Sequence, residues 1–351
     1  MERQSPSRPS PWPHRLAVAL ALVTFPLIWV GGLVTTYDAG MAVPDWPGTY
    51  GYNLFRYPWQ TWIAGPWDLF IEHGHRLLGA AAGFLSIGLV AVVLLTDRRP
   101  WLVAASFGAL ALVIFQGALG GARVLLDERL VAMLHGCVGP LFFAYLAGLL
   151  VTTSQWWHAA PEIDSTGARR LLRESWIAVG LAYIQLVLGA IVRHVPLFAS
   201  PTVFRAALIL HLVVAGLLTA QVALVGAQVW RLRLARSGLT VPGLTLYLMI
   251  AVQLALGVAT YVAKYSWPGW LGDFQFAAAF VVQEKSLAQS LITTAHVATG
   301  SLILFVSVVL ALRSTRLFHS RHHAPRDASV SRSETATMAG ETPAPLGRAA
   351  A

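Results

Sequence analysis

The stretch "EHGHRLLGAAAGFLSIGLVAVVLL", Glu72 to Leu95, joins two opposed chemistries. It opens with an acid, two histidines and an arginine, then stays apolar long enough to cross a bilayer, for which a helix needs about 20 residues. A polar group in that place costs free energy in hydrocarbon unless it has a partner or a task. The remainder of the chain decides which applies.

Of the 351 residues, 56% are hydrophobic and only 12% are charged, about half the roughly 25% usual in soluble domains. With a mean hydropathy of +0.62, the composition excludes an ordinary soluble core and points to an all-α integral membrane protein. Eight segments are long and apolar enough to span, at 15–36, 73–95, 101–122, 129–152, 174–193, 204–228, 242–263 and 287–312. Pro, Gly and charge fill the connections, as helix ends require. The first apolar run follows a basic start but is too long for a signal peptide and lacks a small-x-small cleavage site, so a retained span is expected. Cys137 is the one cysteine, which rules out an intramolecular disulfide and a thiolate metal cluster. Residues 313–351 are rich in Ser, Arg, Ala, Thr and Pro and read as a disordered tail.

Basic residues alternate between connections. Arg3, Arg8 and Arg15, then Arg98 and Arg99, then Arg169, Arg170 and Arg173, then Arg231, Arg233 and Arg236, and finally Arg313 onward lie on one side. The other side holds Asp38, Asp45, Asp68, Asp127, Glu128, Asp273 and Glu284. Lys and Arg mark the cytoplasmic face, so both termini are expected in the cytoplasm of a cell (inner) membrane protein. The formal charge of +9 is then a topology signal and gives no support for nucleic-acid binding. Trp46, Trp59, Trp62, Trp67, Trp267 and Trp270 fall in the outer loops 37–72 and 264–286 and read as an interfacial aromatic belt. A lid formed by "AGMAVPDWPGTYGYN" is the second reading.

An internal repeat organises the spans. Spans three, five and seven contain "QGALGGAR", "QLVLGAIVR" and "QLALGVATY", where Gln116, Gln185 and Gln253 precede Gly120, Gly189 and Gly257 by one turn. Each following span has a histidine closely followed by glycine: His135 in "HGCVG", His211 in "HLVVAG" and His296 in "HVATG", with His75 in "HRLLG" as the fourth. All even spans begin on the outer side, so the histidines form one layer. Four is an even number of spans, so two parallel four-helix repeats are expected, related by an axis along the membrane normal. His75 and His135 fall in one half, His211 and His296 in the other. A single intramembrane histidine often only bonds a neighbouring helix, but four in register suggest paired imidazoles gripping haem iron. Zinc is a weaker alternative, because only the first half offers a third ligand, Glu72. A metal-free carrier leaves the register unexplained.

"EHGHRLLG", the histidine-bearing even spans, the Gln–Gly odd spans and the outer "GMAVPDWPGTYGYN" together make residues 15–313 resemble the haem A synthase family. The resemblance implies an oxidoreductase that converts the C8 methyl of haem O to a formyl, giving haem A for terminal oxidases. It implies that residues 15–152 take the substrate haem on His75 and His135. It also implies that residues 174–312 keep haem b on His211 and His296, with 1–14, 153–173 and 313–351 as cytoplasmic segment, linker and tail. Haem O synthase and oxidase assembly factors would be partners. Glu72 matches the family's acidic residue one turn before the first ligand and shares its helix face, which suits proton relay or charge stabilisation. A helix-start carboxylate also suits the helix dipole. Arg76 is expected to pair with a carboxylate, and Arg76, Arg123 and Arg193 are candidate partners for haem propionates. Some members carry a cysteine pair in the first outer loop, which residues 37–72 lack, so the resemblance is to the type without it. Cys137 is expected to pack. His73 faces away from His75, His14, His158, His319, His322 and His323 are expected to be solvated, and His194 has no assignment. A di-haem b electron carrier and a haem transporter or chaperone are the competing functions.

Overall fold

The computed structural model describes residues 10–163, 168–196, 198–232, 238–268 and 281–318. Arg3, Arg8, Arg233, Arg236, Trp270, Asp273, His319, His322, His323 and the expected tail beyond Phe318 lie outside the described residues. The described chain is mostly helical, and eight of its helices are long and apolar enough to cross a membrane. It is a multi-pass integral membrane protein. The spans are α1 (Trp12–Thr36), α2 (Trp67–Thr96), α3 (Pro100–Leu126), α4 (Arg129–Thr152), α5 (Ala168–His194), α6 (Pro201–Arg231), α7 (Thr240–Tyr265) and α8 (Leu287–Phe318).

Several spans exceed the apolar runs read from the sequence. α2 begins at Trp67 rather than residue 73, and α8 continues to Phe318 rather than ending at 312. Hydropathy marks only the part of a helix that lies in hydrocarbon, whereas backbone hydrogen bonding continues into the interfacial layer. Local chemistry sets the ends. Pro100 and Pro201 sit in the first turn of α3 and α6, where the missing N–H is no loss. The Ser200 hydroxyl accepts from the Val203 N–H. Asp127 turns the chain with φ at 49° between α3 and α4. Short helices Trp59–Ile63 and Gln155–Ala159, which carry no 20-residue apolar signal, lie in the connections.

Neighbours close two rings. α1 packs on α2, α2 on α3, α3 on α4, and α4 on α1; α5 to α8 repeat this order, and α1–α8, α4–α5 and α4–α8 join the rings. One cluster fills the first ring with Leu20, Leu89, Leu102, Phe142 and Leu146, and another fills the second with Leu171, Leu246, Ile303, Leu304 and Leu310. Phe143 of α4 and Phe305 of α8 meet between them with ring centroids 4.5 Å apart. Leu22, Phe84, Ile87, Leu95 and Trp230 point outward and are well exposed, as expected where lipid is the solvent. Lipid supplies little hydrophobic drive between helices, so close contact relies on small residues. Gly32 of α1 illustrates this: a Cβ there would stand 2.8 Å from Thr294 Cγ2 of α8.

Gly32→Ala should therefore overpack the α1–α8 contact at a cost of about 1–3 kcal/mol. Gly88→Ala is the control, since nothing lies within 4 Å of a Cβ there. Thermal unfolding in detergent should show a lower midpoint for the first and no fall for the second.

Candidate functional site

Each histidine ring rests on a glycine of the preceding helix. A Cβ on Gly120 would stand 3.1 Å from His135 Cε1, one on Gly189 3.3 Å from His211 Cε1, and one on Gly257 3.2 Å from His296 Cε1. One turn along, the glutamine fills the complementary notch. Gln116 Nε2 donates to the His135 carbonyl at 2.8 Å and lies 3.2 Å from where a Gly139 Cβ would be; Gln253 Nε2 lies 3.4 Å from the same point on Gly300. In these two antiparallel pairs, Gln then Gly on one helix faces Gly then His on the other, and large meets small. Gln185 Nε2 lies 3.1 Å from both ring nitrogens of His211.

The first histidine follows the same rule with a partner that sequence reading missed. Gly31 of α1 lies under His75, with 2.7 Å between its would-be Cβ and His75 Cε1. Leu27 stands one turn before it in place of a glutamine, so the Gln–Gly spacing could not reveal it. "WVGG" in span one, aligned on the glycine alone, carries the signal. His135 Nδ1 points at the Gln116 carbonyl at 3.2 Å. Leu27 and Gln253 offer their carbonyls in the same way to His75 and His296, though neither contact reaches full hydrogen-bond geometry.

The four rings meet in two pairs. His75 and His135 have ring centroids 6.2 Å apart with planes at 77°, and His211 and His296 are 6.4 Å apart at 69°. A metal–imidazole bond is about 2 Å, and two such bonds on opposite sides of one iron place ring centres roughly 6 Å apart. At His135 the Gln116 carbonyl on the Nδ1 side leaves Nε2 for a metal. Both pairs therefore fit haem iron with two axial imidazoles. Among the described residues no three His, Cys, Asp or Glu side chains gather as a metal site, which leaves zinc without its expected ligand set.

Glu72 lies in the second turn of α2, with Asp68 in the first turn, so the helix-cap alternative fails. Its side chain is 3% exposed and bonds through Oε1 to Arg76 Nη2 at 2.8 Å and through Oε2 to the Val43 N–H at 3.2 Å. Arg76 also donates to the carbonyls of Asp45, Gly48 and Val43 at 2.6, 2.6 and 2.7 Å. Its terminal nitrogens are thus occupied by Glu72 and the outer loop. The loop crosses to α3, where the Trp46 indole lies against Gly121, 2.5 Å from a would-be Cβ. Trp46 thus rests one face on α3 while staying 42% exposed, and Trp59 is exposed more fully. His73 is 2% exposed and shares a 2.8 Å hydrogen bond with Thr49 Oγ1. Its face, opposite the pair, belongs to this loop.

Arg123 Nη2 donates to the Gly40 carbonyl at 3.2 Å. Through Nη2 alone, Arg193 donates to the Gly32 carbonyl at 2.9 Å and to Thr36 Oγ1 at 2.5 Å on α1. His14 is half-buried rather than solvated, 3.1 Å from Thr153 Oγ1, because α1 begins at Trp12, ahead of its apolar run. His158 is exposed. His194 Nδ1 lies 2.9 Å from the Ala190 carbonyl, and Cys137 is buried with a free thiol.

Residues 66–204 match the family model described as cytochrome oxidase assembly protein. This covers Glu72, His75, Arg76, Arg123, His135 and Arg193 and stops before His211. A curated relative named heme A synthase, from Symbiobacterium thermophilum, is 31% identical over 181 residues, which is 50% of this chain. The match spans 56% of that relative's length. Both comparisons agree with the resemblance drawn from the motifs.

Arg76→Met should free the outer loop, and limited proteolysis should cut within residues 43–52 several times faster than in the parent protein. Acid should act on the same loop. The Asp45 carboxyl is pushed up by partial burial but pulled below the ordinary range by the N–H groups of Gly51 and Tyr50 and by its own. A depressed carboxyl stabilises the fold at neutral pH and loses that contribution as pH falls through its folded value. Protection should hold at neutral pH and fail only below the ordinary carboxylate range.

Proposed function

We propose that the chain is a haem A synthase, with His75 and His135 binding the substrate haem O and His211 and His296 holding haem b. The observation that carries this is the pair of imidazole spacings, 6.2 and 6.4 Å, each built from helices of a separate ring. The ring contacts support two parallel four-helix repeats with one haem each. Both termini would lie in the cytoplasm of a cell membrane, and the product, haem A, would pass to oxidase assembly. Haem O synthase is the class of enzyme that would supply the substrate.

The haem iron supplies the redox chemistry that turns a methyl into a formyl. The chain's own residues orient and protect. Gly31 and Gly120 let His75 and His135 lie flat against neighbouring helices, fixing the direction of both Nε2 atoms. Glu72 stands one turn before His75 on the same face, and oxidation of a methyl releases protons as well as electrons. A carboxylate there accepts a proton or balances positive charge. Arg76 and the Val43 N–H hold it in one orientation, as a catalytic side chain requires. The outer loop, pinned by Arg76 and seated on Gly121 by Trp46, keeps water from the outer end of the ring. Arg123 and Arg193, rather than Arg76, remain to meet haem propionates.

The asymmetry of Glu72 favours an enzyme over a di-haem carrier or a haem chaperone. One turn before His211 and His296 stand Leu208 and Thr293, and a carrier needs no acid at only one of two sites. Glu72→Gln should keep both haem spectra but slow haem A formation about a hundredfold or more; a normal rate defeats the acid role. Pigments extracted from cells that make haem O test the sites. His211→Ala with His296→Ala should remove low-spin haem b, whereas His75→Ala with His135→Ala should keep it and make no haem A. Unchanged pigments in both pairs of variants would overturn the reading.

A further inference from the structure

The second ring contains a cation that none of the preceding roles uses. The chain has two lysines, Lys264 and Lys285, against a large majority of arginines. Lys285 Nζ lies in the outer loops, 3.7 Å from Asp38 Oδ2. Lys264 lies in the last turn of α7, half-buried, and among the described residues it has no hydrogen bond or ion pair. A lysine at a helix end ordinarily runs outward to water.

Its position directs it inward. Lys264 follows Gly257, the glycine under His296, by seven residues, so it stands on nearly the same face about 10 Å further out. Gln289 Nε2 of α8 bonds the Ala263 carbonyl at 2.9 Å, and the Tyr265 ring leans on Phe204 of α6 at 5.3 Å. Lys264 stands between these two residues, on the stretch of α7 that touches both α6 and α8. Arg193 on α5 interacts with it electrostatically. In the ring order α5, α6, α7, α8, the histidines occupy one diagonal and the two cations the other.

A planar macrocycle perpendicular to the His211–His296 axis would extend along the α5–α7 diagonal, with these two cations toward its outer edge. We propose that Lys264 and Arg193 together receive the two carboxylates of a macrocycle held by His211 and His296, the propionates of haem b. This rests on the reading of that pair as haem ligands. Carboxylates entering a partly dry site need charge-assisted partners, and two like cations within electrostatic range of each other in a membrane bundle gain from anions between them. Glu284 is exposed and acts on Lys264 only at longer range.

The test follows haem b in the purified full-length protein. Lys264→Met should lose haem to excess apomyoglobin about tenfold faster than the parent, and Lys264→Arg should stay within about twofold. Its midpoint potential should fall, because a cation beside the haem favours the reduced form. Lys264→Gln gives the same readouts should the Met variant fold poorly. Parent-like transfer and potential in Lys264→Met or Lys264→Gln overturn the assignment, as does a matching effect from Glu284→Gln, which would make Lys264 a loop anchor. Absence of low-spin haem in the parent would overturn the histidine reading itself, and the lysine assignment with it.

Discussion

The contact of an imidazole with a bare glycine backbone is the constraint on which this structure depends. A histidine between membrane helices is tolerated when its ring has a place to lie and its nitrogens have work. Glycine on the preceding helix supplies the place. The same absence of a side chain lets the helices approach, so packing and site geometry share one cause. Four such contacts, at Gly31, Gly120, Gly189 and Gly257, set the register of four helix pairs, and the rings then meet in twos.

Around this frame the two rings differ in how their outer ends are finished. In the first, Glu72 and Arg76 form a buried ion pair that also holds the connecting loop. Removing one partner of such a pair leaves an uncompensated charge, commonly a loss of about 3–5 kcal/mol, so the loop, the acid and the helix form one unit. In the second, Arg193 reaches across to α1, and Lys264 lies within its electrostatic range. The first ring's loop is pinned by its own helix, and the second ring is tied to its neighbour by a side chain.

The eight spans and the histidine register were legible because both are periodic: hydrocarbon thickness sets the first and one helical turn sets the second. The true start of α2 was not, since residues 67–72 are helical in a layer where hydropathy is neutral. That error moved Glu72 to a helix end where it does not lie. Gly31 escaped because Leu27 replaces the glutamine that flagged its counterparts. The loop partners of His73 and Trp46 were illegible for a different reason. Their environment is a loop folded back onto α2 and α3, and no local pattern in the sequence encodes where such a loop lands. Arg76 was expected to find a carboxylate, and it did, but its three carbonyl partners are separated from it by about 30 residues of chain.

The depth of the histidines has an electrical corollary. All four fall between the seventh and eleventh residue of helices that start on the same side, so the two pairs lie within roughly a turn of equal depth. Electrons exchanged between irons held there would travel parallel to the bilayer plane. Such a transfer crosses almost none of the transmembrane voltage, which costs about 2.3 kcal/mol per charge and 100 mV for a full crossing. The membrane's energised state would therefore neither drive nor resist it.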